Sequence, residues 1–163
     1  MNTKAWKNDK VYMSYVSDLL NSSMVKELSN YTQHHSSTRL KHCIDVSYES
    51  YQIAKNFNLD AKSTARAGLL HDLFYYDWRT DKFHLGSHAY MHPRIALRNA
   101  EKITNLNAKE KDIIIKHMWG LTLSKPKYAE SVIVSLVDDY DAVREYFAPK
   151  YRNIKQIFST KSL

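Results

Sequence analysis

Histidine and aspartate side chains stand at five separate places in this sequence, and side chains of these types bind divalent metal ions. Imidazole nitrogens and carboxylate oxygens together suit Mn, Fe, Co, Ni and Zn. A bound ion of this kind activates water for hydrolysis without a serine or cysteine nucleophile. Because the places are far apart in the chain, several elements must bring the side chains together. The candidates are His42, the doublet His71-Asp72, His92, His117 and Asp138.

The doublet alone is a weak signal for a metal site. With 8 His in 163 residues, composition supplies roughly half such a pair by chance. Its context is more informative, since it ends an apolar helical segment of small residues at 65–70. Asp138 follows the apolar run 132–137, where a carboxylate needs a partner. The alternative for each residue taken singly is a helix cap or an ordinary hydrogen-bonded side chain.

Each candidate lies on or at the end of a segment with a helical pattern and a capping or stop signal. The predicted segments are Ser37 or Thr38 (cap) to about Phe57, Asp60 (cap) to about Leu73, a helix that opens on Pro93, Asn107 (cap, with Glu110 as a capping box) through His117, and Tyr128 to Phe147, closed by Pro149. Asn58 is predicted to end the first of these in a left-handed conformation. Residues 77–91 lack a sustained period and are predicted to form a loop.

Composition favours an all-α class for the whole chain. Gly 3 and Pro 3 are few in 163 residues, whereas a sandwich or barrel of many strands needs many turns. The apolar run at 131–137 could pass for a buried strand, but no second strand is predicted to pair with it. The length suits one domain with a real hydrophobic core.

Five segments together resemble the HD-domain metal-dependent phosphohydrolases. The resemblance covers about residues 38–147 in the order of the family, and it is carried by Arg39–His42, Ala67–Asp72, His92–Leu97, Ile115–His117 and Leu136–Ala142. It implies an all-α helical bundle with a metal site in its centre. The expected organisation is a single HD-type domain over 1–163, with the family-like core at 38–147 and a basic C-terminal tail at 148–163.

The resemblance also implies a ligand set for one or two divalent ions. The candidate metals are the five named above and Mg. A first ion would be held by His42, His71, Asp72 and Asp138. In dinuclear members two further histidines bind a second ion and the aspartate of the doublet bridges, and these positions match His92 and His117. His88, four residues before His92, is the competing candidate for that position.

One departure from the family pattern affects the expected substrate contacts. Many relatives carry a lysine shortly after the doublet, and here residues 73–78 contain none. Its role would be vacant or filled by a basic side chain elsewhere. Arg39 is the first choice for contacting phosphate, because it lies one helical turn before His42. The catalytic candidates are therefore Asp72, which would bridge the ions or orient the attacking water, and Arg39, with Lys41, Arg79 and Lys127 as alternatives to the latter.

The expected function is metal-dependent hydrolysis of a small phosphate ester, with nucleotides as the leading substrate class. A more specialised alternative is a dinuclear hydrolase of dinucleoside polyphosphates or cyclic nucleotides, although the Gly-Tyr-Pro signature of the cyclic-dinucleotide group is absent. A third alternative is a non-catalytic module that binds a nucleotide or a nucleic acid. It ranks last because a pure binder has little reason to keep a complete ligand set.

Charge and cysteine content narrow the partners and the compartment. The net charge of +7 suits an anionic partner. The single cysteine, Cys43, excludes an intramolecular disulfide, and the N-terminal ten residues lack the apolar core of a signal peptide. We therefore expect a cytoplasmic protein whose partner is a small phosphate compound, not a membrane and not primarily a nucleic acid. A homodimer is left open.

Overall fold

This computed structural model describes residues 5–33, 37–81, 83 and 86–159, with side chains as far as residue 147. The described part contains eight α-helices and one 3-10 turn. The expected all-α class is confirmed. The helices are α1 (Ala5–Asn8), α2 (Lys10–Asn21), α3 (Ser23–Glu27), α4 (Arg39–Asn56), α5 (Ala61–Leu70), α6 (His88–Ile103), α7 (Ala108–Lys116) and α8 (Ala129–Ser159), with the 3-10 turn at Leu28–Asn30.

Helix ends lie where short polar side chains satisfy the free backbone N–H groups. The Thr38 hydroxyl accepts from the N–H of residue 41 at 3.2 Å, and Asp60 accepts from the N–H of residue 63 at 3.0 Å. Asn107 and Glu110 form the predicted capping box at the start of α7. Asn58 takes a positive φ of 53° after α4. These four predictions are confirmed, and they fix the helices that carry the candidate side chains.

The start of α6 differs from the prediction. Pro93 lies inside α6 and not at its first position, because the helix begins at His88 after Ser87 as its N-cap. Proline lacks an N–H, so the helix forgoes one hydrogen bond near its start and continues. The earlier start shortens the loop predicted at 77–91 and places His88 and His92 one turn apart on one face.

The last helix continues beyond its predicted end. Pro149 is predicted to close it, but α8 runs to Ser159. A proline in a helix removes one backbone hydrogen bond without necessarily ending the helix. The segment predicted as a basic tail at 148–163 is therefore helical as far as residue 159, and residues 160–163 lie outside the described part. Within that part, no helix combines the length and apolar character needed to cross a bilayer.

Helix α4 is the central element of the packing. It packs against α5 and α8, α5 packs in turn against α2 and α7, and α7 packs against α6 and α8. The core between them is a single cluster of buried apolar side chains that includes Val46, Leu69, Leu70, Ile113 and Val134. Burial of such side chains stabilises each helix on its neighbours by about 1.5–3 kcal/mol per residue. The candidate site residues all lie within these packed helices or directly after the last residue of one of them.

A glycine allows α5 to approach α4 closely. A Cβ on Gly68 would lie 3.0 Å from the Cα of Ser47, a distance that real Cβ atoms hardly ever reach. The Ser47 hydroxyl donates to the carbonyl of Ala65 at 2.6 Å and also contacts the hydroxyl of Tyr12 at 2.9 Å. This close approach brings His71, at the end of α5, next to His42 on α4.

Substitution of Gly68 by alanine is expected to destabilise the fold by about 1–3 kcal/mol, because the added methyl group meets backbone and not a flexible side chain. The gain in helix propensity, about 1 kcal/mol, offsets part of this loss. Urea unfolding followed by circular dichroism measures the difference. Lys62→Ala, on the exposed side of the same helix, is the control and should change the free energy of unfolding by less than about 0.5 kcal/mol. A Gly68→Ala variant as stable as the control would contradict the packing argument.

Candidate metal centre

The structure brings all six predicted ligand residues together in the interior. Two groups of potential ligand atoms form there, each with its atoms within 4.8 Å of one another, and the two groups share Asp72. The first group is His42, His71 and Asp72, and the second is Asp72, His92 and His117. Helices α4, α6 and α8, the two residues that follow α5 and the residue that follows α7 supply these side chains, so the centre exists only in the folded chain.

Asp72 presents one carboxylate oxygen to each group. Its Oδ1 lies 3.3 Å from Nε2 of His92 and 3.7 Å from Nε2 of His117. Its Oδ2 lies 3.8 Å from Nε2 of His71. An aspartate in this arrangement can contact two ions at once.

Asp138 completes the first group from α8. Its Oδ1 lies 2.9 Å from Nε2 of His42 and 3.5 Å from Nε2 of His71. The apolar residues before it place Val134 and Val137 in the core, and the helix thereby directs Asp138 inward. The carboxylate expected to need a partner therefore has two imidazoles beside it.

Backbone carbonyls fix the ring orientation of three of the histidines. Nδ1 of His71 donates to the carbonyl of residue 68 at 2.7 Å, Nδ1 of His92 to that of residue 88 at 2.9 Å, and Nδ1 of His117 to that of residue 114 at 2.8 Å. A carbonyl oxygen only accepts, so the proton is on Nδ1 in each case. Nε2 of each ring is thereby turned to the centre as the atom that could bind an ion.

The donor set fits a divalent cation. Nε2 of His71 and Oδ1 of Asp72 are buried without a hydrogen-bond partner among the described residues. The Nε2 atoms of His92 and His117 lie 2.6 Å apart, and two such acceptors repel each other unless a cation or a proton lies between them. Oδ1 of Asp72 and the Nε2 atoms of His92 and His117 are therefore buried acceptors close to one another, an arrangement that is costly in a folded protein and that a metal ion would satisfy.

The pKa values of the histidines differ between the two groups. Burial lowers the pKa of His92 to about 4 and that of His117 to about 3. Burial also lowers the pKa of His71, but the carboxylates of Asp72 and Asp138 outweigh it and raise the pKa to about 9. For Asp72 burial raises the pKa, but the neighbouring histidines outweigh it and hold the pKa well below its usual range. At neutral pH the second group is neutral imidazole beside an anion, whereas a metal ion at the first group would have to displace the proton of His71.

Of the two competing histidines, His92 lies in the centre and His88 lies beside it. The His88 ring stacks on His92 with 4.3 Å between ring centroids and on Trp78 with 5.6 Å. Its Nδ1 lies 2.9 Å from the hydroxyl of Tyr76, and its carbonyl accepts from Nδ1 of His92. His88 thus supports the ring of His92 from behind.

Arg39, the first choice for a phosphate contact, is engaged by groups of the chain itself. Its side chain is fully buried, and its guanidinium donates to Oε1 of Gln33 at 2.7 Å. It also donates to the carbonyls of Phe74 at 2.7 Å and Tyr76 at 3.2 Å, and it stacks 3.6 Å above the Phe74 ring. Arg39 therefore holds the segment that follows the doublet in place.

The three other basic candidates lie on the exposed surface. Lys41 pairs with Asp45, and Arg79 pairs with Asp77 at 2.9 Å. Lys127 is exposed and lies over the ring of Tyr128.

Gln33 contacts the centre and was not predicted from the sequence. Its Nε2 donates to Oδ2 of Asp72 at 2.6 Å. It stands in a polar segment without a period, 39 positions before its partner, so no local pattern marks it.

In a comparison with protein families, the model described as HD domain matches residues 39–143. This range contains all six ligand-type residues. Searches of curated proteins and of solved structures gave no significant match.

Proposed function

Since the chain belongs to the HD domain family, we propose that it is a metal-dependent phosphohydrolase that cleaves a small phosphate ester, with nucleotides as the leading substrate class. The observation that carries the proposal is the pair of ligand groups joined through Asp72. Membership of a family made up mostly of metal-dependent phosphohydrolases supports the reaction. The net charge of +7 supports an anionic substrate.

In this proposal His42, His71, Asp72 and Asp138 hold one divalent ion, and Asp72, His92 and His117 hold a second. Bound divalent ions supply Lewis acidity toward phosphate oxygens and make water acidic enough to attack at neutral pH. The residues of the chain contribute position and charge. The backbone carbonyls hold the three imidazoles with Nε2 inward. Because Asp72 belongs to both groups, it fixes the separation between them. The presence of a second complete group of potential ligand atoms, Asp72, His92 and His117, supports two bound ions per chain and not one.

The proposal is tested by the metal content and by a substrate panel. Purified protein is analysed by plasma mass spectrometry beside the double variant His71→Ala plus Asp72→Ala. Hydrolysis is then assayed with Mn, Fe, Co and Ni on mononucleotides, dinucleoside polyphosphates, cyclic dinucleotides and simple phosphate monoesters. We expect bound metal in the wild type only, and activity confined to one substrate class. A wild type with no more metal than the double variant, and with no activity on the panel, would overturn the proposal.

Removal of one ligand from the second group should separate the two ions. In His117→Ala the group of His42, His71 and Asp138 is intact, so we expect the metal content to fall from two ions to one per chain. Hydrolysis should fall by about 100-fold or more, because one ion no longer clamps the phosphate. Lys111→Ala is the control, since Lys111 is exposed on α7, the helix directly before His117, and pairs with Glu101 at 2.7 Å, and it should keep two ions. Equal metal content in the two variants would contradict a second site built on His117.

A further inference from the structure

Gln33 and Arg39 form a buried polar pair at the centre that the proposed function leaves unused. Gln33 lies between the guanidinium of Arg39 and the carboxylate of Asp72, with contacts of 2.7 and 2.6 Å. Both side chains are buried, Arg39 completely and Gln33 to 7% exposure. A buried amide with both ends engaged fixes the positions of both partners.

The orientation of the Gln33 amide is dictated by Arg39. A guanidinium has only donors, so the oxygen of the amide must face Arg39. The NH2 group must then face Oδ2 of Asp72. Because Arg39 is itself held by two backbone carbonyls and by the Phe74 ring, the amide is anchored from behind and cannot turn over.

Backbone hydrogen bonds bring Gln33 back to the start of α4. The N–H of Gln33 donates to the carbonyl of Ser37 at 2.9 Å, and the N–H of Arg39 donates to the carbonyl of Tyr31 at 2.8 Å. Thr32 and Thr38 form an antiparallel bridge beside them. The placement of Gln33 is therefore part of the fold and does not depend on its side chain alone.

We propose that Gln33 is a positioning residue that fixes the rotation of the Asp72 carboxylate, with Arg39 as its anchor. The proposal rests on the function proposed above, because it concerns Asp72 as a ligand of two ions. With Oδ2 held by Gln33, that oxygen stays with His71 and Oδ1 stays with His92 and His117. Without the amide, the carboxylate can rotate and give both oxygens to one ion.

A neutral amide suits this position better than a direct contact with the arginine. A guanidinium pairs with both oxygens of a carboxylate at once, and a cation in contact with Asp72 competes with a metal ion for its charge. Gln33 uses one lone pair of Oδ2 and leaves the other lone pair free. The arrangement thus orients Asp72 while its negative charge stays available to the ions.

The test uses Co(II) as the probe, since its absorption spectrum reports ligand geometry. Gln33→Met preserves the length of the side chain and removes its donor. Gln52→Met is the matched control, because it removes another glutamine-to-aspartate hydrogen bond, from Gln52 to Asp9 at 3.3 Å. Full-length proteins freed of metal are titrated with Co(II), and the affinity, the number of ions and the visible spectrum are recorded.

We expect Gln33→Met to bind Co(II) about 10–100-fold more weakly and with an altered spectrum, and Gln52→Met to match the wild type. Equal affinity and spectrum in Gln33→Met and the wild type would overturn the positioning role and leave the proposed function standing. A wild type that binds no Co(II) would overturn both.

A second measurement uses the wild-type protein alone and therefore does not depend on whether a variant folds. In wild-type protein labelled with ¹⁵N, addition of the diamagnetic ion Zn(II) should shift the side-chain amide resonances of Gln33, because their acceptor becomes a metal ligand. The resonances of Gln52 should stay in place. Unchanged Gln33 resonances in protein that has taken up Zn(II) would overturn the positioning role.

Discussion

Replacement of Asp72 by asparagine is expected to reduce hydrolysis by about three orders of magnitude, the largest effect of any single substitution considered for this protein. Asparagine has one side-chain oxygen, whereas the two ligand groups each face a different oxygen of Asp72. The amide nitrogen does not serve as a ligand, and the negative charge between the groups is lost. Metal content should fall from two ions to at most one per chain, as measured by plasma mass spectrometry after gel filtration.

Asp139→Asn is the matched control for this substitution. Asp139 follows a ligand residue directly and carries the same charge, but its side chain is exposed on α8. It should keep both ions and hydrolyse substrate within about threefold of the wild-type rate, as surface substitutions do. If Asp72→Asn retained two ions, Asp72 would not be the residue that joins the two groups.

Substitution of Arg39 by methionine is expected to lower the free energy of unfolding by about 3 kcal/mol. The change leaves three acceptors without their donor, at Gln33, Phe74 and Tyr76, and a buried acceptor without a donor costs about 1–3 kcal/mol. Release of the buried charge returns part of this cost, since burial disfavours the guanidinium and lowers its pKa. For a chain of this length the melting temperature should fall by about 6–12 °C.

Calorimetry of metal-free protein measures this loss without a contribution from bound ions. Arg79→Met is the control with the same chemistry, because Arg79 is exposed and, among the described residues, pairs with Asp77, and its melting temperature should match the wild type. Arg39→Lys should fall between the two, since lysine keeps the charge but lacks the planar fork that reaches several acceptors. An Arg39→Met protein that melts with the control would show that the three contacts contribute nothing to stability.

The helices that carry the ligand-type residues could be predicted because their signals are local, whereas the convergence of these residues was implied by the resemblance to the HD-domain family. A cap at Asp60 and a capping box at Asn107 mark the starts of α5 and α7. A histidine follows directly after the last residue of each of these helices. The apolar run before Asp138 predicts a helix that carries this carboxylate next to the core. These features depend on residues within one or two turns of one another, and a sequence displays them directly.

The roles of Arg39 and Gln33 could not be predicted from such patterns. Arg39 was expected to contact phosphate near His42 because the two residues share a helix face, but Arg39 is the first residue of α4. Side chains on a helix lean toward its N-terminus, so a long side chain at that position extends beyond the helix and away from His42. Gln33 meets Asp72 only after α4 and α5 have packed together, and this contact leaves no periodic mark in the sequence. Pro93 likewise suggested a helix start because the sequence does not reveal that Ser87 begins the helix earlier.

The depth of the centre has a consequence for the kinetics of metal exchange. The ligand side chains of His42 and His71 are completely buried, and Asp72 is 4% exposed. The Asp138 side chain is 13% exposed, so the open side of the centre is the one that α8 lines. The other ligand atoms are shielded from water, and release of an ion would break several buried contacts at once, so exchange is expected to be slow. Slow exchange would retain the ion acquired first against stronger-binding competitors that arrive later, despite the usual order of affinities. The metal found in a purified sample would then record which ion was abundant when the site was first filled.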